Sequence, residues 1–225
     1  MGGFRFTYVQ QGKSKMRVLG FVGAVLLLLS GHTPSDAADL AELLAPLGQG
    51  GYILVFRHVA TDDSQKDVYP FDFNDMKAQR QLSEQGRAMA RQIGAAIKKL
   101  GIPVGDVYTS RLNRAVETGK LLFDKDVKPV DALTDSSAGV ASGMANPAGG
   151  NAKAGRALRE LVDAAPKAAT NTVLVTHKTN ITDAFGKEAS DVQEGEAFVY
   201  KANATGSATF VARIKAAEWM AQAGG

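Results

Sequence analysis

The chain has 225 residues, and its 26 lysine and arginine residues exceed its 23 acidic residues by three. Hydrophobic residues make up 45% and charged residues 22% of the sequence, a balance that excludes a largely disordered or collagen-like chain. The absence of cysteine excludes disulfides, thiolate zinc sites, iron–sulfur clusters and a cysteine nucleophile. The presence of only three histidines argues against a histidine-rich metal site.

The N-terminal 37 residues have the pattern of a secretory signal peptide. Four basic residues precede a 12-residue apolar run from Val18 to Leu29, which is shorter than the roughly 20 residues that span a bilayer. The small residues Ser35 and Ala37 follow, and we expect cleavage after Ala37. Met16 is an alternative start, because the charged region before the apolar run is long. An uncleaved anchor and a buried core helix are the alternatives to a signal peptide, whereas a lipoprotein is excluded without cysteine.

Removing residues 1–37 changes the charge of the protein. This segment holds four basic residues and one acidic residue, so residues 38–225 contain 22 of each and are formally neutral. The positive charge therefore gives no support for a nucleic-acid partner, and we expect none. We expect an exported, periplasmic protein with a single domain at 38–225 and no stable membrane span after cleavage.

The mature chain alternates strand patterns with helix patterns. In chain order, we predict a helix at 39–47, a strand at 52–56, a long polar loop at 61–79, a helix at 83–100, a strand at 107–109, a helix at 114–123, an Ala/Gly/Ser-rich loop at 135–155, a helix at 156–164, a strand at 172–175, a helix at 180–186, strands at 197–201 and 208–214, and a helix around Trp219. The strands at 52–56 and 172–175 are continuous apolar runs, which are typical of a parallel sheet buried on both faces. The order predicts an α/β fold, a three-layer sandwich with a largely parallel central sheet flanked by helices.

Polar residues follow three of these strands directly. Arg57 and His58 follow the first, the segment 110–114 follows the second, and His177 follows the strand at 172–175. Ligands bind at the carboxyl ends of strands in open α/β sheets, so we expect His58, His177, Arg57 and Arg114 at one crevice. Arginine forks match phosphate oxygens, and a neutral imidazole can attack phosphorus and carry the phosphoryl group. The residues therefore indicate phosphoryl chemistry.

Four motifs resemble, in order, those of the histidine phosphatase superfamily, which is also called phosphoglycerate mutase-like. They are Arg57-His58-Val59-Ala60-Thr61, Leu82-Ser83-Glu84-Gln85-Gly86, Ser110-Arg111-Leu112-Asn113-Arg114-Ala115-Val116-Glu117-Thr118, and the strand Val173-Leu174-Val175-Thr176 entering His177. The matches span about 52–201, which is most of the mature chain. Within the superfamily, the segments 195–197 and 177–180 are similar to those of small exported bacterial members.

The resemblance implies a role for each matching residue. His58 is the expected nucleophile that becomes phosphohistidine, and Arg57 and Arg114 are expected to bind the phosphate. His177 is expected to hydrogen-bond the phosphoryl oxygens and to support the transition state. The arginines and the second histidine supply the positive field, so we expect no metal and no cofactor.

The sequence departs from the superfamily pattern at two points. Val59 replaces the usual glycine after the nucleophile, which predicts a less close approach of the backbone to the ligand. The identity of the general acid stays open. Lys178 stands where one branch of the superfamily has an aspartate, and residues 133–137 fill the region where the other branch has a glutamate. The candidates for the general acid are Asp135 and Glu196, with Asp62 or Asp63 as a third option. Lys178, together with Thr61 of the first motif, is a candidate for substrate binding.

The sequence thus predicts an exported phosphatase that hydrolyses small phosphomonoesters through a phosphohistidine on His58. A catalytically weak phosphate-binding protein is the alternative, favoured by Val59 and by the absence of an obvious general acid. A phosphomutase is a less favoured alternative, because the substrates of mutases are cytosolic. The loop at 135–155 is small and poor in aromatic residues, which predicts an open, shallow site. The sequence leaves the substrate and the oligomeric state open.

Overall fold

The computed structural model describes Met1 and residues 40–69, 71–134 and 151–223. The predictions for the segment 1–37 and for most of the loop at 135–155 therefore lie outside the described residues. Within the described ranges, no helix is both long enough and apolar enough to cross a bilayer.

A six-stranded sheet forms the centre of the fold. The strands are β1 (Tyr52–Arg57), β2 (Val104–Thr109), β3 (Lys128–Pro129), β4 (Asn171–Thr176), β5 (Ala197–Lys201) and β6 (Thr209–Ile214). Their order across the sheet is β3-β2-β4-β1-β5-β6. Neighbours from β3 to β1 pair in parallel, whereas β5 runs antiparallel to both β1 and β6. The largely parallel sheet and the late hairpin are confirmed. Only β3 was not predicted, because its two exposed residues carry no apolar pattern.

Helices cover both faces of this sheet. They are α1 (Glu84–Lys99), α2 (Asn113–Phe123), α3 (Ala152–Asp163), α4 (Lys178–Phe185) and α5 (Ala216–Ala223), with 3₁₀ helices at Ala45–Gln49, Met76–Ala78, Asp131–Leu133 and Lys187–Ala189. Residues of α1, α2 and α5 share one hydrophobic core with the sheet, and residues of α3 and α4 share the other. This arrangement is the three-layer α/β sandwich that the sequence predicts.

Strand β1 contributes to both cores. Leu54 and Phe56 face the core that contains α1, α2 and α5, whereas Ile53 and Val55 face the core that contains α3 and α4. All four side chains are fully buried. Successive side chains of a strand point to opposite faces, so a run without polar residues is required here. The ring of Trp219 lies 6.2 Å from that of Phe56 and helps to fix the end of the strand.

Helix α1 begins where its capping residue predicts. The Oγ atom of Ser83 accepts a hydrogen bond from the N–H of Gly86 at 3.0 Å, which is a side-chain N-cap. A Cβ atom on Gly86 would come within 2.1 Å of the carbonyl oxygen of Ala60. The glycine therefore allows the first turn of α1 to pack against the backbone that follows β1.

Helix α3 begins at Ala152, four residues before the predicted start at Arg156. The side chain of Asn151 caps it by accepting a hydrogen bond from the backbone of the third helical residue. The prediction was wrong because the alanine- and glycine-rich composition of this segment is typical of a loop. Gly155 has a packing role instead, since a Cβ atom there would lie 2.2 Å from the carbonyl oxygen of Asp183.

We expect the substitution Gly86→Ala to lower the free energy of unfolding by about 1–3 kcal/mol, because the new Cβ atom must displace the backbone of Ala60. The better helix propensity of alanine, roughly 1 kcal/mol, offsets only part of this cost. Urea unfolding followed by circular dichroism measures the difference. Gly48→Ala is the matched control, since a Cβ atom on Gly48 meets nothing within 4 Å. Equal stability of the two variants would contradict the packing role of Gly86.

Candidate active site

The pairing of β1 with β4 brings the two predicted histidines together. The parallel register places Arg57 opposite Thr176, and a histidine follows each of them. The N–H of His58 donates to the carbonyl oxygen of Thr176 at 3.0 Å. The ring centroids of His58 and His177 lie 5.2 Å apart with an interplanar angle of 62°. Both residues are almost fully buried, with exposed fractions of 4% and 2%.

A hydrogen bond to the backbone sets the tautomer of His58. The Nδ1 atom lies 2.8 Å from the carbonyl oxygen of Val59. Because a carbonyl oxygen can only accept, the neutral ring carries its proton on Nδ1. The lone pair is then on Nε2, which is the nitrogen able to act as a nucleophile.

The surroundings of His58 keep its ring neutral. Burial holds the pKa of His58 well below its ordinary value of 6.5, and the electrostatic interactions with His177 and Arg114 lower it further. The hydrogen bond to Val59 acts in the opposite direction, and the charge of Arg57 adds a smaller decrease. A neutral imidazole with its lone pair available is therefore the form present at neutral pH.

Val59 fits the backbone at the position where the motif usually has glycine. Its side chain is fully buried. Its N–H donates to Oγ1 of Thr118 at 3.3 Å, and that hydroxyl donates to the carbonyl oxygen of Arg114 at 2.6 Å. Of the non-glycine residues in the described ranges, only Asp124 and Ala169 have a positive φ. Val59 is therefore unstrained, and its effect on the approach of a ligand stays a prediction.

Arg114 is buried near the start of α2 and is paired with a carboxylate. Its Nη1 atom donates to Oδ1 of Asp67 at 3.0 Å, and the two side chains are 2% and 11% exposed. Asp67 belongs to the β1–α1 loop, which we define as residues 61–81, and it also accepts from the N–H of Arg80 at 2.9 Å. The ion pair thus joins the loop to a predicted phosphate-binding arginine. The sequence analysis missed Asp67, because the loop has no periodic pattern that indicates which of its acidic residues turns inward.

Arg57 and Arg80 form a second cationic group. The Nη1 atom of Arg57 donates to the carbonyl oxygen of Val192 at 2.8 Å, and Nη2 pairs with Oε1 of Glu194 at 3.2 Å. Burial lowers the pKa of Arg57, the charge of Glu194 opposes this, and the charge of Arg80 lowers it further. The Nε atoms of both arginines are buried without a hydrogen-bond partner in the described part of the chain. Such donors on two like charges favour the binding of an anion.

Arg80 is a residue that the sequence analysis did not select. It stands two residues before Leu82, at the end of the β1–α1 loop. Its closeness to Arg57 depends on how the loop returns to the sheet, and no spacing in the sequence reports that. The only signal was its position next to the motif that begins at Leu82.

Glu196, a candidate for the general acid, is a fully buried partner of Arg213. Its Oε1 atom accepts from Nε of Arg213 at 2.6 Å, and its Oε2 atom accepts from the N–H of Gln193 at 2.7 Å. The hydrogen bond to Glu196 raises the pKa of Arg213. The carbonyl oxygen of Glu196 accepts from the N–H of Arg57 at 3.0 Å. These contacts give Glu196 an anchoring role beside Arg57, and its role as a proton donor stays a prediction.

The other candidates for the general acid differ in their surroundings. The hydroxyl and the N–H of Ser64 donate to Asp62 and lower its pKa, which makes this partly exposed carboxylate a poor proton donor. Asp63 is exposed and lies 3.9 Å from Nη1 of Arg80. Asp135 lies outside the described residues, so its role stays a prediction.

The two candidates for substrate binding are placed differently. Thr61 is buried and forms an isolated antiparallel bridge with Leu82, which ties the start of the β1–α1 loop to its end. Lys178 is the first residue of α4, directly after His177, and it is exposed. Within the described ranges, no group of three or more His, Asp or Glu side chains is placed to hold a metal ion.

Residues 53–149 match the model of the histidine phosphatase superfamily, branch 1. The matched segment is 97 of the 225 residues, and over this length the chain resembles the histidine phosphatase superfamily. Its second histidine, His177, lies beyond the matched segment and joins the site through the β1–β4 pairing. No curated protein sequence matches the chain.

Two solved phosphatase structures share this fold. The protein histidine phosphatase SixA, complexed with tungstate, is 14% identical in sequence, and the alignment covers 74% of this chain and 97% of SixA with a TM-score of 0.52. A phosphoserine phosphatase from Entamoeba histolytica, in complex with 3-phosphoglyceric acid, is 15% identical, and the alignment covers 72% of this chain and 95% of that enzyme with a TM-score of 0.50. At these identities the similarity shows the fold alone.

We expect the pKa of His58 to lie below 6.5, with the proton of the neutral ring on Nδ1. The substitution His177→Gln removes an electrostatic interaction that lowers this pKa, so it should raise the pKa, which should still stay below 6.5 because burial is the larger cause. An NMR titration of the imidazole nitrogens in both proteins measures the pKa and the tautomer. A folded-state pKa of 6.5 or higher in the unsubstituted protein would contradict the assignment.

Proposed function

We propose that this protein is a phosphatase that hydrolyses phosphomonoesters by transferring the phosphoryl group to Nε2 of His58 and then to water. One observation carries the proposal: His58 is a buried, neutral imidazole whose Nδ1 proton is held by a carbonyl oxygen, so the lone pair of Nε2 is available. The positive groups around it match the negative charge of a phosphate. The match of residues 53–149 to the histidine phosphatase superfamily supports this chemistry.

The first step forms the phosphohistidine. The lone pair of Nε2 attacks phosphorus, the bond from phosphorus to the ester oxygen breaks, and the leaving alcohol takes a proton from the general acid. The ring of His58 becomes positively charged, and its Nδ1–H donates to the carbonyl oxygen of Val59 at 2.8 Å. For the proton donor we keep Asp135 and Glu196 as the candidates.

The second step returns the enzyme to its starting state. Water attacks phosphorus, the N–P bond breaks, and its electron pair returns to Nε2 of His58. The conjugate base of the general acid takes the proton of the water molecule, so inorganic phosphate is released and no proton is lost from the balance. This step requires only groups that are still in place after the first step. Neither of the two proposed steps uses a metal ion.

The arginines bind the phosphate during both steps. We assign this role to Arg57 and Arg114, as the sequence predicts, and add Arg80, because the Nε atoms of Arg57 and Arg80 are buried donors without a partner in the described residues. Guanidinium groups keep their charge and match the equatorial oxygens of the transferring group. His177 supports the same oxygens beside His58, and Thr61 and Lys178 are proposed to contact the rest of the substrate.

We expect His58→Ala to lower the hydrolysis of p-nitrophenyl phosphate by about 10³-fold or more, since the covalent route is removed. Initial rates at saturating substrate measure this effect, and thermal unfolding shows whether the variant is folded. A chelator should leave the rate of the unsubstituted protein unchanged.

Three outcomes would contradict the proposal. Undiminished activity of a folded His58→Ala variant would exclude His58 as the nucleophile, and activity abolished by the chelator would show a metal enzyme. Stabilisation by phosphate or vanadate without turnover on a broad panel of phosphomonoesters would instead support the binding protein that the sequence leaves as the alternative.

We expect Asp67→Asn to tighten the inhibition by inorganic phosphate by roughly 3- to 10-fold, the equivalent of about 1 kcal/mol. The carboxylate of Asp67 occupies Nη1 of Arg114 and repels the anion that this arginine is proposed to bind. Inhibition constants for phosphate measure the effect. Asp72→Asn is the matched control, because Asp72 is exposed in the same loop and its carboxylate accepts a hydrogen bond from the N–H of Asn74. Weaker inhibition in Asp67→Asn would show that Asp67 positions Arg114 and does not compete with phosphate.

We also propose that the protein is exported and that residues 1–37 are removed, on the basis of the charged flank, the short apolar run and the small residues before Ala37. Mass spectrometry of the protein from a periplasmic extract should find an N-terminus at Ala38. Recovery of the chain with its original N-terminus from the cytoplasm would contradict export.

A further inference from the structure

The β1–α1 loop carries an aromatic row, which consists of Tyr69, Phe71 and Phe73. The ring centroids of Tyr69 and Phe71 lie 4.5 Å apart, and those of Phe71 and Phe73 lie 6.2 Å apart. The guanidinium carbon of Arg111 lies 4.1 Å from the centroid of the Phe73 ring. All three aromatic side chains are partly exposed. The phosphoryl chemistry described above uses none of them.

Both ends of the aromatic row are tied to the phosphate site. Asp67, two residues before Tyr69, accepts from Nη1 of Arg114 in a buried ion pair. At the other end, Arg111 stands three residues before Arg114 in the chain and stacks on Phe73. Three residues of chain span at most about 10 Å. The backbone of Arg111 therefore lies within about 10 Å of that of Arg114, the arginine proposed to bind the phosphate.

The side chains in and beside the aromatic row indicate which kind of leaving group would bind there. Arg111 is paired with Asp131 at 3.0 Å, so its charge is compensated and gives little attraction for a second phosphate. The rings of Phe71 and Phe73 have no hydrogen-bonding atoms with which to bind the hydroxyls of a sugar. Aromatic rings do bind other planar rings, in offset or edge-on contacts with centroids 4.5–7 Å apart.

We propose that the aromatic row is a specificity site for phosphomonoesters whose leaving group carries a planar aromatic ring, either an aryl alcohol or a nucleoside. This inference rests on the proposed function, because it assigns the substrate class of the same site. It also revises the expectation of an open site poor in aromatic residues: that expectation came from the loop at 135–155, whereas these rings belong to residues 61–81.

The test compares KM values for phenyl phosphate, adenosine 5′-monophosphate and glycerol 3-phosphate. The full chain is used unsubstituted and as Phe71→Leu and Phe73→Leu, since leucine keeps an apolar side chain in the loop but removes the π face. We expect KM to rise by roughly 3- to 10-fold for an aromatic substrate and to change by less than about 2-fold for glycerol 3-phosphate. Phe210→Leu is the matched control, because Phe210 is an exposed phenylalanine on β6.

The two aromatic substrates distinguish aryl esters from nucleotides as the class that the aromatic row binds. A change in KM for phenyl phosphate alone assigns aryl esters, a change for the nucleotide alone assigns nucleosides, and a change for both supports the shared ring chemistry. Equal changes for all three substrates would mean that the phenylalanines only stabilise the loop and would overturn the proposal. No change for either aromatic substrate would overturn it as well.

A binding measurement keeps this inference separate from the proposed function. Calorimetric affinities of phenylphosphonate and methylphosphonate, which cannot be hydrolysed at an ester bond, are compared for the unsubstituted protein and for Phe73→Leu. Tighter binding of phenylphosphonate that is lost in Phe73→Leu supports the aromatic row even if no substrate is turned over. Equal affinities of the unsubstituted protein for the two phosphonates would overturn the proposal about the aromatic row, even if His58 proves to be the nucleophile.

Discussion

The parallel pairing of β1 with β4 is the constraint on which the site depends. Its register sets Arg57 against Thr176, so the next residue of each strand, a histidine in both cases, lies beside the other. A slip by one residue would move every side chain of a strand to the opposite face. The two packed cores resist such a slip, because each buried side chain would have to fit a space shaped for another. The position of His58 is therefore as well defined as the sheet.

Burial has opposite effects on the histidine and on the arginines of the site. For His58 it favours the neutral form, which is the form that a nucleophile requires. For Arg57 and Arg80 it leaves guanidinium donors without partners among the described residues, which is unfavourable until an anion is bound. The same low-dielectric surroundings thus keep the nucleophile neutral and favour the binding of a phosphate group by the arginines. A phosphate group accepts hydrogen bonds from these guanidinium donors and is also the electrophile that the neutral imidazole can attack.

The sequence predicts the parts of this site that depend on local pattern. The strand at 52–56 and the two residues that follow it, Arg57 and His58, were found because a run buried on both faces has no polar residue until it ends. Asp67, Arg80 and the aromatic row were not found, because they belong to a loop whose path is set by tertiary contacts such as the ion pair with Arg114. The start of α3 was missed for a related reason: its cap lies within a composition that is typical of loops.

The ion pair between Glu196 and Arg213 connects the site to the edge of the sheet. Glu196 holds the backbone of Arg57 with its carbonyl oxygen, and its buried carboxylate is held in turn by Arg213 of β6, the last strand in the sheet order. Loss of Arg213 would leave a buried charge uncompensated directly behind Arg57. A substitution in the outer strand, or a tag fused to it, should therefore affect activity, although this strand is remote from His58 in the order of strands.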